Sequence, residues 1–262
     1  MNRRHRTAWQ ISCDVWRALL LRESVSRLFD SRTAWLWLFL EPLFHMAYLV
    51  FIFTAIRVNT VGGTHTAVWI LMGLLAYFYF NRTSNQLASG INAHRALFAY
   101  RQIKPIDPLL VRAVLEAVLL LVVSVVMFAG LSVFIEMSWP SDPLGVLIAW
   151  CAAWVLGVAW GLLLSVATEL LPDLGRVLML FQMPLYFLSG VMFPIASAPA
   201  WIQEVLLLNP LVHCIEQARL GLNDNYHAVA GLDPAYPWAV AICLGLLGLA
   251  LQRVYAHKLV AV

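Results

Sequence analysis

Charged residues are scarce in this sequence. Asp, Glu, Lys and Arg make up 12% of its 262 residues, about half the usual share of a soluble domain. Hydrophobic residues make up 62%, and the mean hydropathy is +0.79. A soluble domain of this size needs a more polar surface. The composition therefore argues against a soluble fold and predicts a single all-α, polytopic membrane domain over residues 1–262.

Several motifs that carry chemistry are also missing. The sequence has no GxxxxGK(S/T) loop, no HExxH, no GxSxG and no DFG. Its cysteines form no CxxC pair and have no His at zinc-site spacing, so we interpret them as small apolar side chains. Residues 1–32 are basic but have no long apolar core, so no cleavable signal peptide is expected. We expect no catalytic residues, no metal site and no ATP site in this chain.

Six apolar segments have about the ~20 residues that a helix needs to cross a membrane. The predicted spans are 35–56, 67–80 with an extension to 87 left open, 109–135, 144–168, 177–192 and 236–255. An even number of spans places both termini on one side. Fifteen of the 17 Lys and Arg residues fall on that side, and only Arg57 and Arg219 fall on the other. The positive-inside rule therefore predicts that both termini are cytoplasmic.

Two segments outside the spans have unusual composition. Residues 9–30 alternate apolar and basic side chains, which predicts an amphipathic helix at the headgroup level; an ordinary soluble tail is the alternative. The stretch 193–235 is apolar but interrupted by prolines, which predicts two short helices separated at Asn209–Pro210. Short apolar helices at membrane depth must be buried against protein or enter and leave on the same side.

Few charged residues fall inside the predicted spans. Glu41 and His45 are four residues apart and share a helix face. An intramembrane carboxylate is a candidate functional group, and three roles stay open for Glu41: a structural cap or ion pair, a proton relay, or a contact with substrate. Arg112 and Glu116 have the same spacing, which predicts a local ion pair. No set of these residues makes a convincing acid–base or nucleophile pair, so an enzyme is the weaker interpretation.

The turn between the second and third spans combines basic and aromatic residues. A short helix is predicted at 96–101, with Phe98 and Tyr100 projecting from it as apolar knobs. Three basic side chains surround them: Arg95, Arg101 and Lys104. An aromatic knob with a basic rim suits docking into a cleft of a partner protein, and a basic loop without a partner is the alternative.

Four stretches of the sequence resemble one known family. They are LWLFLEP (36–42), ALFAYRQIKPIDPLLVRAVLE (96–116), FPIASAP (193–199) and NPLVHCIEQAR (209–219). Together they resemble the membrane subunit of ABC-type capsular polysaccharide exporters, the KpsM-like permeases of the ABC-2 type. The resemblance covers almost the whole chain. One departure is Ala34, where relatives often have Gly.

The resemblance implies an architecture and an assembly. It implies six transmembrane helices, an N-terminal interfacial helix at 9–30, a coupling helix at 94–101 and an external gate or re-entrant segment at 194–221. It also implies a homodimer of the permease in the bacterial inner membrane, with two copies of a cytoplasmic ATPase that bind ATP and Mg. The implied cargo is a lipid-linked, anionic capsular polysaccharide. A periplasmic or outer-membrane export partner is left open, and no nucleic-acid partner is expected.

Three groups of residues are assigned candidate roles on this basis. The coupling residues are His94, Arg95, Phe98, Tyr100, Arg101 and Lys104. The substrate-path residues are Arg27, Arg32, Glu41, Tyr77, Tyr79, Arg82, Tyr186 and Phe187, because aromatic faces suit weak sugar contacts and Arg suits an anionic group. The gate residues are Pro194, Asn209, Pro210, His213, Glu216 and Arg219.

Alternative functions differ in cargo or in energy source. An ABC permease for another surface glycan, such as O-antigen or teichoic acid, or for a drug, has the same composition. A proton-coupled secondary transporter using Glu41 and His45 is expected to have inverted repeats, and we find none in the sequence. An intramembrane enzyme acting on lipid-linked sugars needs clustered catalytic side chains.

Overall fold

The computed structural model describes residues 8–29, 32–56, 60–61, 63–100, 102–135, 140–223 and 225–260. These residues are mostly helical, as the sequence predicts. The first half contains α1 (Ala8–Phe29), α2 (Ala34–Ala55), β1 (Thr60–Val61), β2 (Thr64–His65), α3 (Thr66–Ala88), α4 (Gly90–Ala93), a 3-10 helix (Arg95–Ala99) and α5 (Ile106–Phe134). The second half contains α6 (Pro143–Leu170), α7 (Pro172–Leu180), α8 (Gln182–Leu188), a 3-10 helix (Ile195–Ser197), α9 (Ala200–Leu206), α10 (Pro210–Leu220), α11 (Tyr236–Val254) and α12 (Ala256–Val260). The two strands form one antiparallel hairpin.

Among the residues that the structure describes, four helices are long and apolar enough to cross a membrane: α2, α5, α6 and α11. They correspond to the first, third, fourth and sixth predicted spans. The second predicted span forms α3, which has 23 residues, most of them buried within the protein. The fifth forms two short helices, α7 and α8. Pro184 lies in the first turn of α8 and has no backbone N–H to donate to Leu180, the last residue of α7, so the helix is interrupted there.

The centre of the molecule is the contact between α3 and α6. A Cβ atom at Gly157 would lie 2.6 Å from the carbonyl oxygen of Phe80, and one at Gly161 would lie 3.0 Å from the Cα of Ser84. The two glycines therefore let the backbones of the helices touch, as small residues do in membrane helix pairs. Around this pair, α5 packs on α3, α11 packs on α6, and α10 contacts both central helices.

Helix α1 contacts α5 and α2. Its exposed side chains include large apolar ones such as Trp9, Val25 and Phe29, whereas Leu19 and Glu23 are buried. The helix covers residues 9–29 of the segment predicted at 9–30, and residue 30 lies outside the described residues. Its position at the membrane surface stays a prediction. Its buried face brings a carboxylate to the start of α5.

Candidate functional site

Six charged or titratable side chains meet where α1, the end of α3, the turn after α4 and the start of α5 converge. We call this group the charged junction; it consists of Glu23, Arg27, Arg82, His94, Arg112 and Glu116. All six side chains are largely shielded from solvent. Each of the four chain segments supplies at least one member, so the junction ties distant parts of the sequence together.

Glu116 lies at the centre of the charged junction and has no exposed surface. One of its oxygens accepts a hydrogen bond from Nη1 of Arg27 on α1. The other lies 2.9 Å from Nε of Arg82 on α3. A buried carboxylate needs such partners, because the interior cannot solvate its charge. Glu116 therefore holds α1 and α3 together through α5.

Glu23 is the second carboxylate of the charged junction. It accepts a hydrogen bond from Nε of Arg27 at 3.0 Å and lies 2.8 Å from Nε of Arg112. Nε2 of His94 lies 3.1 Å from its other oxygen. Nδ1 of His94 faces the carbonyl oxygen of Gly90 at 3.0 Å. Because both facing oxygens are acceptors, the two hydrogen bonds form together only when both ring nitrogens carry a proton.

The acidity of Glu23 reflects these contacts. Burial by itself raises the pKa of this carboxyl group, but the hydrogen bond from His94 and the charges of Arg112 and Arg27 outweigh it. The net effect lowers the pKa of Glu23 from 4.5 to about 2. Glu23 is therefore ionised at neutral pH, and the ion pairs of the charged junction are intact.

We expect Glu23 to make stability depend on acid pH. Since its pKa is lower in the folded state, the stabilisation is fully present above pH 4.5 and is lost as pH falls towards 2. The size of the shift corresponds to about 3 kcal/mol. Unfolding of the detergent-solubilised protein, followed between pH 6 and 2.5, should show the wild type losing its advantage over Glu23→Gln in this window. Parallel curves for the two proteins would contradict the assignment.

The charged junction joins residues for which the sequence predicts different roles. Arg27 and Arg82 are predicted in the substrate path and His94 in the coupling helix. In the structure Arg27 contacts both Glu23 and Glu116, Arg82 contacts Glu116, and His94 contacts Glu23. The predicted ion pair between Arg112 and Glu116 is replaced by partners on other helices, because α1 and α3 bring longer-range charges within reach. Glu23 is absent from the predictions. The only indication of its role in the sequence is that it lies four residues before Arg27, on a helix whose charged residues are mostly basic.

Two other predicted path residues lie at the edge of the charged junction or apart from it. Glu41 on α2 has one oxygen 3.8 Å from Nη1 of Arg82, and its side chain is 56% exposed. Arg32, just before α2, is exposed. The charged junction therefore has one weakly held carboxylate on its accessible side.

The predicted coupling segment is anchored to the rest of the chain. A 3-10 helix occupies Arg95–Ala99, instead of the predicted short helix at 96–101. Nη2 of Arg95 donates to a carboxylate oxygen of Glu169 at the end of α6. Lys104 is exposed, and Arg101 lies outside the described residues.

The two aromatic residues of this segment differ in exposure. Phe98 is buried in an apolar cluster of its own chain that includes Leu87, Ile91 and Leu109, so the prediction that it projects as a knob is wrong. The physical reason is that α4 turns the chain back against α3 and α5. Tyr100 is 65% exposed. Only Tyr100 is therefore available on the surface.

Buried charges also organise the predicted gate segment. Glu216 and Arg219 on α10 form an ion pair of 2.9 Å, and both are almost completely buried. Arg219 donates to the carbonyl oxygens of Gly190 and Val191, and its guanidinium lies 3.5 Å from the centre of the Trp69 ring. These contacts join α10 to α3 and to the turn after α8.

A tyrosine completes this cluster. The hydroxyl of Tyr226 donates to Glu216 at 3.0 Å. Burial raises the pKa of Tyr226, and the charge of Arg219 opposes this only in part, so the pKa reaches about 12. The hydroxyl therefore keeps its proton. Trp69 and Tyr226 are absent from the sequence predictions because nothing local links them to α10.

The other predicted gate residues shape the start of α10. Asn209 caps the helix, its side chain accepting from the N–H of Leu211, and Pro210 occupies the first turn. Nε2 of His213 donates to the carbonyl of Leu207, and Nδ1 accepts from the N–H of Asp233. Pro194 precedes the 3-10 helix Ile195–Ser197. The predicted break at 209–210 is therefore present, and short helices lie on both sides of it.

The predicted aromatic path residues fall into two places. His45 lies 2.6 Å from the hydroxyl of Tyr186 and packs beside it, and the rings of Tyr77 and Phe187 pack against Tyr186. This aromatic cluster lies between α2, α3 and α8. Tyr79 instead stacks on Trp150 of α6, at 5.6 Å between ring centres, because residues two apart point to different sides of a helix.

Metal-ligand clusters were sought among the residues that the structure describes. No group of three or more His, Cys, Asp or Glu side chains there has the geometry to hold a metal ion. The four cysteines, Cys13, Cys151, Cys214 and Cys243, are unpaired. The functional groups of the described residues that remain are buried ion pairs and aromatic rings.

The fold and these clusters define a polytopic α-helical membrane protein whose buried charges join helices. The chain belongs to the ABC-2 type transporter family, whose model matches residues 14–222, so it is a transport subunit rather than an enzyme.

It is 33% identical to the polysialic acid transport protein KpsM of Escherichia coli, over 95% of this chain and 96% of that protein. It is 29% identical to the capsule polysaccharide export inner-membrane protein CtrC of Neisseria meningitidis serogroup A, over 89% and 88% of the two chains. It is 25% identical to the corresponding BexB protein of Haemophilus influenzae, over 79% and 78%. The family resemblance seen in the sequence is thus confirmed.

Proposed function

We propose that this chain is the transmembrane subunit of an ATP-driven exporter that moves a lipid-linked, anionic capsular polysaccharide from the cytoplasm across the bacterial inner membrane. The observation that carries the proposal is similarity over 95% of the chain to a protein named for polysialic acid transport. Two further groups of relatives are named for capsule polysaccharide export at the inner membrane. ATP and Mg would bind to a separate ATPase, since the sequence has no phosphate-binding loop.

The proposed membrane arrangement has six crossings. At about 1.5 Å per residue, α3 is roughly 35 Å long, enough for a ~30 Å hydrocarbon layer. Its polar residues are buried or half-buried within the protein, which would let it cross with lower apolarity. Helices α7 and α8 together supply the fifth crossing. Helix α1 lies at the cytoplasmic surface, α9 and α10 form the external gate within 194–221, and the whole chain, 1–262, is one transmembrane domain.

The proposed working complex is a homodimer with two ATPase copies. Tyr100 and Lys104 present the docking surface to the ATPase, because both are exposed on the turn between α4 and α5. Two contacts carry the motion of this turn to other helices: the buried one of His94 with Glu23 on α1, and the partly exposed ion pair of Arg95 with Glu169 on α6. The buried contact suits this purpose because polar partners resist separation in a low-dielectric interior.

The proposed substrate path passes the aromatic cluster between α2, α3 and α8. Tyr186 and Phe187 offer ring faces, and the hydroxyl of Tyr186 and the ring of His45 offer polar contacts for sugars. The interrupted α7–α8 pair lies beside this cluster, where a broken helix can shift more readily than a continuous one. Tyr79 packs in the core between α3 and α6 and takes no part in this path.

The substitution Tyr100→Asp tests both the coupling and the function. We expect a loss of ATPase copurification of at least tenfold, because a charge replaces the exposed aromatic anchor. We also expect surface polysaccharide to fall to the level of a strain that lacks this gene. Membrane abundance of the variant should stay normal. Phe98→Asp is unsuitable for this test because Phe98 is buried in its own chain.

The two readouts separate two kinds of failure. An ATPase that still copurifies with Tyr100→Asp would remove Tyr100 from the docking surface. Unchanged surface polysaccharide in the strain that lacks the gene would contradict the proposed cargo. A matched surface control is Arg176→Gln, whose side chain is exposed on α7 and pairs with Asp173.

A further inference from the structure

Three arginines of the charged junction have a buried nitrogen that forms no hydrogen bond with the described residues, and one of these atoms, Nε of Arg112, still lies 2.8 Å from Glu23. The other two atoms belong to Arg27 and Arg82. Nη2 of Arg27 and Nη1 of Arg82 are buried, and neither has a hydrogen-bond acceptor among the described residues. Nε and Nη1 of Arg27 already donate to Glu23 and Glu116, and Nε of Arg82 faces Glu116. A buried charged donor without an acceptor is unfavourable, so these two atoms have a strong requirement for an anion.

The net charge of the charged junction also favours the binding of an anion. Its buried members are three guanidinium groups, on Arg27, Arg82 and Arg112, against two carboxylates, on Glu23 and Glu116. The buried charges therefore sum to an excess of positive charge.

Glu41 reduces this excess only loosely. Its oxygen lies 3.8 Å from Nη1 of Arg82, beyond hydrogen-bond distance, and more than half of its side chain is exposed. An exposed ion pair at such a distance contributes little stability. An incoming anion that hydrogen-bonds Nη1 directly can therefore displace Glu41.

The surroundings indicate what kind of anion reaches this position. Trp35 and Trp37, near the start of α2, are exposed, as aromatic residues at a membrane–water interface are. Helix α1 supplies Arg27 and exposes apolar side chains such as Val25 and Phe29. These features place Arg27 and Arg82 at headgroup depth in the proposed arrangement. The group found there in quantity is a lipid phosphate, and a guanidinium fork suits its oxygens.

We propose that Arg27 and Arg82 form a binding site for a lipid-borne phosphate and that Glu41 occupies this site as a resident carboxylate until the phosphate displaces it. The phosphate belongs to a membrane phospholipid or to the lipid end of the cargo. The proposal rests on the membrane placement in the proposed function, but not on the identity of the polysaccharide.

Lipid retention by the purified full-length protein tests the proposal. The protein is reconstituted in nanodiscs of phosphatidylcholine with increasing phosphatidylglycerol, and retained lipid is measured by native mass spectrometry after release. We expect the wild type to retain phosphatidylglycerol in preference to phosphatidylcholine. Glu41→Gln should raise the affinity for phosphatidylglycerol about threefold to tenfold by removing the competing carboxylate. Arg82→Gln should lower the affinity at least tenfold.

A matched control removes a carboxylate elsewhere. Asp173→Asn also takes one acid from an arginine pair, but that pair is fully on the surface, so the affinity should not change. An unchanged or weaker affinity in Glu41→Gln would overturn the proposal, and this variant is safe to interpret because Glu41 is exposed. Equal retention by the wild type and Arg82→Gln would overturn it as well.

Competition with inorganic phosphate shows the source of the anion. If millimolar phosphate displaces phosphatidylglycerol, the site takes a free anion too; if it does not, the site is specific for a headgroup held in the membrane. Either result supports an anion site when Glu41→Gln binds more tightly. Because no ATPase or polysaccharide is present, the outcome is independent of whether capsule export is the function.

Discussion

Glu116→Gln is expected to lower the free energy of unfolding by about 3 kcal/mol or more. Glu116 is completely buried and faces two guanidinium groups, those of Arg27 and Arg82. A neutral amide of the same shape leaves Arg82 buried with only the distant Glu41 nearby and leaves Arg27 with Glu23 alone. Breaking a buried pair in this way is far more costly than losing a surface pair. Thermal or denaturant unfolding of the purified protein in detergent measures the loss.

Two other variants isolate the cause of that loss. Glu116→Asp keeps the negative charge and should lose less stability than Glu116→Gln. Asp173→Asn removes the same charge from the exposed pair with Arg176 and should change stability by no more than about 0.5 kcal/mol. If Glu116→Gln is as stable as Asp173→Asn, the charged junction does not hold the helices together.

Gly157→Leu is expected to prevent α3 and α6 from packing in their observed positions. Even the first atom of the new side chain would lie 2.6 Å from the Phe80 carbonyl oxygen and 2.9 Å from the Phe80 Cα. These are backbone atoms, so no side-chain rotation can relieve the clash and the helices must separate. Overpacking of this kind costs about 3 kcal/mol, and more where backbone must move. We expect little folded protein in membranes, measured by size-exclusion chromatography after solubilisation.

A helical glycine elsewhere in the chain provides the control. Gly130 on α5 has nothing within 4 Å of where a Cβ would lie. Gly130→Ala should therefore fold normally and gain slightly from the better helix propensity of Ala. Gly157→Ala should already be less stable than Gly130→Ala. Equal stability of the two alanine variants would show that α3 and α6 do not approach as closely as described.

The membrane helices were predictable to different degrees from sequence. The spans at α2, α5, α6 and α11 were found from hydropathy alone, because those helices keep apolar side chains exposed to the surroundings. Hydropathy is less informative for α3, whose burial by other helices lets it carry Asn81 and Arg82. The interruption between α7 and α8 was missed, although Pro184 marks it.

The candidate site was predictable only in its parts. The sequence drew attention to Arg27, Arg82 and His94, but not to the carboxylates that join them, because Glu116 lies more than thirty residues from Arg27 and Arg82, and Glu23 lies more than seventy residues from His94. Local spacing suggested Arg112 as the partner of Glu116, and a helix turn does make that pairing plausible. In the folded protein, Glu116 instead pairs with Arg27 and Arg82, and Arg112 pairs with Glu23. It also buried Phe98, which looked from its basic neighbours like a surface residue.

By itself, then, the sequence determined that this protein is helical, lies in a membrane and belongs to its transporter family, because composition, hydropathy and extended similarity are properties of the linear chain. Only the tertiary structure decided which charges meet, which aromatic residues share a cluster and which donors stay unfilled. Burial and ion pairing depend on side chains from α1, α3 and α5 arriving at one place, and no spacing along the chain encodes that meeting.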